Sequence, residues 1–249
     1  MVVRLARARC RGLVALFVSL QGACAFDSGG GAGDSNLPDP GGGSPPDAAV
    51  PGAPDGAPAA AACPDGTDLL ACLTFDGAAQ DGSGYGNPVQ VTGSASFVPG
   101  IDGQALDATS GVEVTIDETS VLDPPEALLI ELWARADSFP AEDGRAGLVD
   151  NEGQWGLFVH AGGRVSCSMS GFVEVEAVLA PGEWANVACG YDGATLRLFK
   201  NGALAGEVAG GAALSAGGSD GTAIGHNSPT GQPFDGLIDE VRIWRRGAL

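Results

Sequence analysis

Glu183–Val208, EWANVACGYDGATLRLFKNGALAGEV, decides how the rest of the chain is read. Two alternating runs, Glu183–Tyr191 and Thr195–Lys200, flank Asp192-Gly193, and Asn201-Gly202 then turns the chain into Ala203–Val208. Alternation places successive side chains on opposite faces of a strand. Asp-Gly and Asn-Gly between such runs are strong hairpin signals, because the turns that match strand twist need positive φ. The segment therefore predicts a three-stranded antiparallel meander.

Outward from it, the same period recurs. Glu126–Arg135 (EALLIELWAR) puts Leu128, Ile130, Leu132 and Ala134 on one face and Glu131, Trp133 and Arg135 on the other. Gly236–Trp244 (GLIDEVRIW) reads with Leu237, Val241 and Ile243 on one side and Glu240, Arg242 and Trp244 on the other. Asp68–Asp76 (DLLACLTFD) is a first strand and Arg164–Ser168 another. No long stretch carries a helical period, and 41 glycines suit a fold of many turns. Short strands divided by turn signals predict an all-β domain, an antiparallel β-sandwich, over residues 63–249.

Ahead of that domain the composition changes. Arg4, Arg7, Arg9 and Arg11 precede the apolar run Leu13–Leu20 (LVALFVSL). Eight residues are too few to span a bilayer, which takes roughly 20, and the arrangement fits a signal peptide over residues 1–25. Two processing routes stay open. Gly22-Ala23-Cys24 resembles the end of a bacterial lipobox, which would lipidate Cys24, while Ala23-Cys24-Ala25 fits the small-x-small site of ordinary signal peptidase. Residues 26–62 read as a disordered linker. From Asp27 on they are nearly all Gly, Ala, Pro, Asp and Ser, with one leucine, one valine and no aromatic. That is too little apolar surface to offset the entropy of ordering. A flexible coil of this length reaches roughly 30 Å, which suits a tether running from a lipidated Cys24. The expected localisation is export, to the cell envelope as an outer-membrane lipoprotein or into the medium.

The chain sets 12 Lys and Arg against 31 Asp and Glu, a net charge of −19, and four of the bases lie in the signal region. So acidic a surface repels phosphate backbones and anionic lipid. Nucleic acid is therefore excluded as a partner, and membrane contact is expected only through the lipid anchor. The acidity favours solubility and hard cations such as calcium.

Four cysteines lie beyond the signal region, Cys63, Cys72, Cys167 and Cys189. An even count in an exported domain predicts two disulfides, with three pairings available. We expect Cys63–Cys72, pinning the end of the linker to the first strand, and Cys167–Cys189, joining Arg164–Ser168 to Ala185–Tyr191 as neighbouring strands. Each bridge is worth about 2–4 kcal/mol. The absence of C-x-x-C gives no support to a redox or zinc site. In Asp81–Asn87 (DGSGYGN), oxygen-bearing side chains alternate with glycines. Asp81, Ser83 and Asn87 with a carbonyl are thus candidate ligands for a structural Ca2+, and an ordinary Asp/Gly/Asn turn is the alternative.

Taken together, LTFDG (Leu73–Gly77), DGSGYGN (Asp81–Asn87), IELWARAD (Ile130–Asp137), GEWANVACGYDGATLRLFKNGALAG (Gly182–Gly206) and FDGLIDEVRIWRR (Phe234–Arg246) resemble the laminin-G-like, concanavalin-A-like jelly-roll family of secreted bacterial proteins. The resemblance runs from Leu69 to Trp244. It implies a jelly-roll sandwich with first and last strands adjacent and with calcium sites common, which adds Asp76 and Asp239 to the candidate metal ligands. It leaves function open, since such domains bind sugars, bind proteins or act as spacers.

Catalysis is not expected. The sandwich hydrolases carry their acids as Glu-x-Asp-x-x-Glu on one strand, and no such run occurs here. Glu174-Val175-Glu176 lacks a third acid in register, and Asp239-Glu240, being adjacent, are read as pointing to opposite faces. His160 and His226 lie in no lyase motif. Gly217-Gly218-Ser219-Asp220-Gly221 matches G-x-S-x-G but leads into a strand rather than the helix a nucleophile elbow needs. Trp133 and Trp244 share strand faces with charged residues and are the candidate ligand-binding rings, whereas Trp184 and Tyr191 are expected to pack. The expected function is a non-catalytic extracellular recognition module for a carbohydrate or protein surface. The rivals are a structural or adhesion spacer and a glycan-active enzyme on the same fold.

Overall fold

The computed structural model describes residues 62–211, 213–214, 220–228 and 232–249. The signal peptide, Cys24, the linker up to residue 61 and Ser219 with its two preceding glycines lie outside the described residues.

In chain order the strands are β1 (Leu69–Leu73), β2 (Val89–Thr92), β3 (Phe97–Pro99), β4 (Gln104–Asp107), β5 (Glu113–Ile116), β6 (Leu128–Ala136), β7 (Arg145–Asn151), β8 (Trp155–His160) and β9 (Val165–Met169). They continue as β10 (Gly171–Val175), β11 (Trp184–Tyr191), β12 (Thr195–Lys200), β13 (Ala203–Ala209), β14 (Thr222–Ile224), β15 (His226–Asn227), β16 (Gln232–Pro233) and β17 (Gly236–Trp244). The first sheet runs β13-β12-β11-β6-β17-β4-β3, with β1 also paired to β17, and the second runs β10-β9-β8-β7-β14-β5-β2. β15 and β16 form a small ribbon. Helix among the described residues is confined to three single 3-10 turns.

The meander forms as its turns dictate. Asn201 and Gly202 carry φ of 50° and 78°, so the β12–β13 connection is a tight two-residue reversal. At β11–β12 only Gly193 has positive φ, and the Asp192 carboxylate closes a three-residue loop by accepting from the Ala194 and Thr195 amides. On β6 the alternation holds to the last residue. Leu128, Ile130, Leu132 and Ala134 are buried in the core between the sheets, and Glu131, Trp133 and Arg135 are half-buried on the outward face. Opposite them lie Val149, Leu157, Val165 and Ile224 of the second sheet, all fully buried. Each such aliphatic side chain contributes about 1.5–3 kcal/mol of burial free energy.

Both disulfides pair as expected, Cys63–Cys72 and Cys167–Cys189. The geometry of the second differs from expectation. Cys167 on β9 pairs with β8 and β10, and Cys189 on β11 pairs with β6 and β12, so their strands belong to opposite sheets. The bridge crosses the core instead of joining neighbours in one sheet.

The last strand also departs from its alternation. Asp239 lies opposite Trp133 and Arg242 opposite Glu131, so two residues of β17, Glu240 and Val241, face the single residue Leu132. This β-bulge is centred on Glu240, whose φ is 53°. It shifts the phase, so that the core side chains are Ile238, Val241 and Ile243, and Leu237 falls on the outward side opposite Arg135. Asp239 and Glu240 consequently both lie on the outward side between two core residues, not on opposite faces.

Candidate functional site

Two places gather polar groups that the fold alone does not require. One is the fork at which β17 changes partner, and the other is a cleft on the outward face of the second sheet.

At the fork, Leu237 and Ile238 pair with β4, whereas Val241–Trp244 pair with β1. The gap between those partners coincides with the bulge. Asp239 is fully buried there, its Oδ2 accepting from the Ile101 and Asp102 amides at 2.9 and 3.3 Å and its Oδ1 from the Glu240 amide. Only glycine fits at position 100, where a Cβ would stand 2.3 Å from Asp239 Oδ2. Burial pushes the Asp239 carboxyl up to about 6, with the charge of Asp76 adding to the rise. Glu240 goes up to about 7, through burial and the neighbouring Asp239, Asp102 and Asp76. Glu240 Oε2 accepts from Arg242, while its Oε1 is buried without a partner.

The five residues read from the sequence as calcium ligands thus separate. Asp76 and Asp239 meet at the fork. Asp81, Ser83 and Asn87 do not join them in one cage. Asp81 Oδ1 accepts from the Cys72 and Ser83 amides, and its Oδ2 from the Ser83 hydroxyl and from the backbone and side-chain nitrogens of Asn87. Five donors leave that carboxylate no free lone pair for a cation, so Asp81 is the hub of a turn that seals the Cys63–Cys72 end of β1. Among the described residues no three His, Cys, Asp or Glu side chains come together as a metal-ligand set.

The candidate rings are largely covered. Trp244 packs on Leu129, Ala188 and Phe199, and the Arg246 guanidinium lies 4.2 Å over its ring. Trp133 is half-buried between Asp239 and Asn186 in the sheet register. Trp184 has Arg135 at 6.0 Å over its ring, and Tyr191 is buried. His226 is buried beside the Ile224 carbonyl, and His160 is held by the Ser166 hydroxyl at 2.7 Å near Glu174.

The second sheet presents an open cleft of about 360 Å³. Its floor is β7 and β8, and its ends are the β7–β8 turn and Ser228. Gly156 underlies the Phe158 ring so closely that a Cβ would sit 2.5 Å from it, and the Arg145 guanidinium covers the ring at 4.3 Å. Along the outward register come Asp150, Gly156, Ser168 and Phe172. Asp150 accepts from the Ser228 amide, and burial holds its carboxyl above the usual range. In the turn, Gln154 is only 9 % exposed, and both its Oε1 and Nε2 lack a hydrogen-bond partner. Asn151 Oδ1 is likewise unpartnered, although its Nδ2 donates to Thr222. Such atoms carry a desolvation cost that a ligand would relieve. Arg145 also borders a second depression of about 350 Å³ lined by Phe139, Pro140 and Pro233. No pair of ions involves Arg145 among the described residues.

Sequence reading passed over this cleft for a physical reason. Gly147 and Gly156 occupy outward positions on β7 and β8, so AGLV and WGLF look like continuous apolar runs with no exposed face. The available signal was the polar turn Asn151-Glu152-Gly153-Gln154 between two buried strands.

The model of the concanavalin A-like lectin/glucanases superfamily matches residues 106–249. The chain belongs to that superfamily. Solved structures share the superfamily sandwich. Domain 4 of AbnA, a GH43 extracellular arabinanase from Geobacillus stearothermophilus in complex with arabinotriose, is 20 % identical with a TM-score of 0.60, covering 73 % of this chain and 94 % of that one. The binding domain of Paraclostridial Mosquitocidal Protein 1 is 13 % identical with a TM-score of 0.61, covering 73 % and 50 %. The binding domain of botulinum neurotoxin DC, in complex with rat synaptotagmin II, is 15 % identical with a TM-score of 0.53, covering 73 % and 49 %. The chain thus spans about half of either toxin binding domain, and identities this low establish the shared fold alone. No curated protein sequence matches the chain. Two disulfides in a lectin-type sandwich are the mark of an oxidising, extracytoplasmic compartment. Among the described residues no helix is long and apolar enough to cross a membrane.

Proposed function

We propose that this domain is a non-catalytic extracellular recognition module that binds a carbohydrate in the Arg145–Gln154 cleft, held at the cell envelope by a lipidated Cys24 through the residue 26–62 linker. The observation that carries the reading is Gln154, a buried amide with both polar atoms unpartnered at the wall of an open cleft. Sugar hydroxyls donate and accept, and the cleft offers matching groups. Asp150 accepts, Arg145 donates, and Gln154 and Ser168 do both. The adjoining depression beyond Arg145 gives room for an oligomer instead of a single ring. The arabinotriose complex of the 20 % identical domain supports the ligand class.

Binding is favoured over cleavage by the acids themselves. Glu152 and Asp220 hydrogen-bond to each other, whereas retaining glycosidases hold their two carboxyls about 5–5.5 Å apart around the scissile bond. A glycan array probed with the oxidised protein, in calcium, tests the reading. Reproducible binding to one glycan class, abolished in Gln154→Leu, supports it. A blank array, or binding that survives that change, overturns the cleft assignment in favour of a protein ligand or a spacer. Release of shortened oligosaccharides would make the protein an enzyme.

We also propose a structural Ca2+ at the fork, with Asp76 and Asp239 as its carboxylates and main-chain carbonyls and water completing the shell. The partnerless Glu240 Oε1 beside three further acids favours it. Calcium added to chelator-treated protein is expected to raise the melting temperature, less so in Asp239→Asn. An unchanged melting temperature in the wild type rules it out.

A further inference from the structure

Resting on the carbohydrate reading of the same cleft, we infer that it selects glycans whose rings keep two adjacent hydroxyls free, with Gln154 as the residue that takes that diol. Trp155 is buried in the core between the sheets, so the alternation that carries it inward places Gln154 and Gly156 on the outward face. The chain holds Gln154 there from both sides. Its backbone N–H donates to the Asn151 carbonyl at 3.0 Å, across a turn with Gly153 at a φ of 75°. On the other side Trp155 is anchored, its Nε1 donating to the Leu122 carbonyl at 3.3 Å. Gln154 therefore meets a ligand as a planar edge on a pinned turn, with Asp150 and Ser168 on the strands either side of Gly156.

That edge carries one acceptor, Oε1, and one donor, Nε2, side by side on a single carbon and both buried without a partner. Only a group with one donor and one acceptor at matching spacing satisfies both. A carboxylate or sulfate accepts alone and leaves Oε1 bare, and an ammonium donates alone and leaves Nε2 bare. An N-acetyl group, trans like a peptide bond, points its N–H and C=O in opposite directions and alone reaches one atom of the edge. Two neighbouring ring hydroxyls fit, one donating to Oε1 while the other accepts from Nε2. In a chain linked (1→4), every ring keeps O2 and O3 as such a pair. In a chain linked (1→3) the linkage consumes O3, and the O2 and O4 left on each internal ring are not neighbours.

Affinity electrophoresis of the full chain, through gels holding one neutral polysaccharide each, compares (1→4)-β-mannan and (1→4)-β-xylan with (1→3)-β-glucan. At least one (1→4)-linked polymer is expected to bind at least about tenfold more tightly than the (1→3)-glucan, the effect of two neutral hydrogen bonds. Gln154→Leu brings that affinity down to the (1→3) level or below. Gln154→Glu, measured at mildly alkaline pH where the new carboxyl is ionised, separates a diol from other donor–acceptor pairs. Both hydroxyls of a diol can donate to a carboxylate, so binding persists, whereas a carbonyl or ether oxygen cannot donate and binding would be lost. Melting temperatures show that each variant is folded, and the linkage comparison in the wild type stands without them. Equal affinity for the (1→3)-glucan overturns the diol inference and leaves the carbohydrate reading standing. Loss of binding in a folded Gln154→Glu as complete as in Gln154→Leu does the same. Retardation by none of the three polymers also overturns the diol inference and, joined by a blank glycan array, removes the carbohydrate reading itself.

Discussion

The outward faces of the two sheets carry similar side chains and differ in what covers them. On the first sheet, tryptophans and arginines lie against one another, Arg246 over Trp244 and Arg135 over Trp184, and the polar row from Asn186 through Glu131 is tied by hydrogen bonding. On the second, glycines at 147 and 156 take the place of two side chains and let the His226 backbone and the Phe158 ring pack down onto the sheet, beside a cleft walled by polar groups. An aromatic residue on an outward face is therefore a poor guide to a binding site. Room beside it matters more.

The change expected to damage this arrangement most is Gly147→Val. A Cβ at 147 would stand 2.2 Å from the backbone oxygen of His226, so β15 must move off the sheet. Thermal denaturation should show a loss of about 1–3 kcal/mol, the usual cost of overpacking. A variant as stable as the wild type would mean that β15 does not wall the cleft.

Next in size is a pair of opposite effects. Arg145→Ala should weaken glycan binding by tenfold or more with the melting temperature little changed, because Arg145 is exposed and makes no ion pair among the described residues. Trp244→Ala should lower the melting temperature by several degrees, since about 1 kcal/mol moves it roughly 2–4 °C in a domain this size, and leave binding intact. The reverse pattern would transfer the site to the first sheet and to the rings named from the sequence.

Smaller still is a pH effect at Asp150. Its folded carboxyl titrates above the ordinary aspartate value because of burial. The native state therefore holds its proton to higher pH than the unfolded chain does, and stability from this group falls as pH rises from about 4 through the folded pKa. Asp150→Asn should lose that slope and gain on the wild type across the window. Parallel pH profiles for the two proteins would show that Asp150 is not buried as described. Phe172→Ser should do least. Its ring is 57 % exposed, so stability should change by under about 0.5 kcal/mol. A drop in glycan affinity would extend the cleft along the register to β10.

The fold was legible because strand period and turn chemistry agreed. Asn201-Gly202 turned as its residues require, and the β6 alternation predicted the core face correctly. What escaped was any feature requiring a third dimension. The β17 bulge adds one residue without disturbing composition, so the sequence shows a regular alternation that places Leu237 on the wrong face. The Cys167–Cys189 pairing followed from chain position, but the crossing of the core did not, because strand order within sheets is invisible to local pattern. Of the candidate site, Asp76 and Asp239 were reachable through the resemblance. Gln154 was not, since only burial without a partner distinguishes it from an ordinary turn residue.

Cys63–Cys72 has a mechanical consequence. Load applied to the chain ahead of Cys63 passes through sulfur to Cys72, deep within β1, without travelling along Leu69–Ala71. The first strand consequently cannot be unzipped from its leading end, one hydrogen bond at a time. Traction must instead act on the β1–β17 ladder from its middle, where Cys72 lies opposite Arg242. Reduction of this one bridge would turn a grip that yields all at once into one that peels.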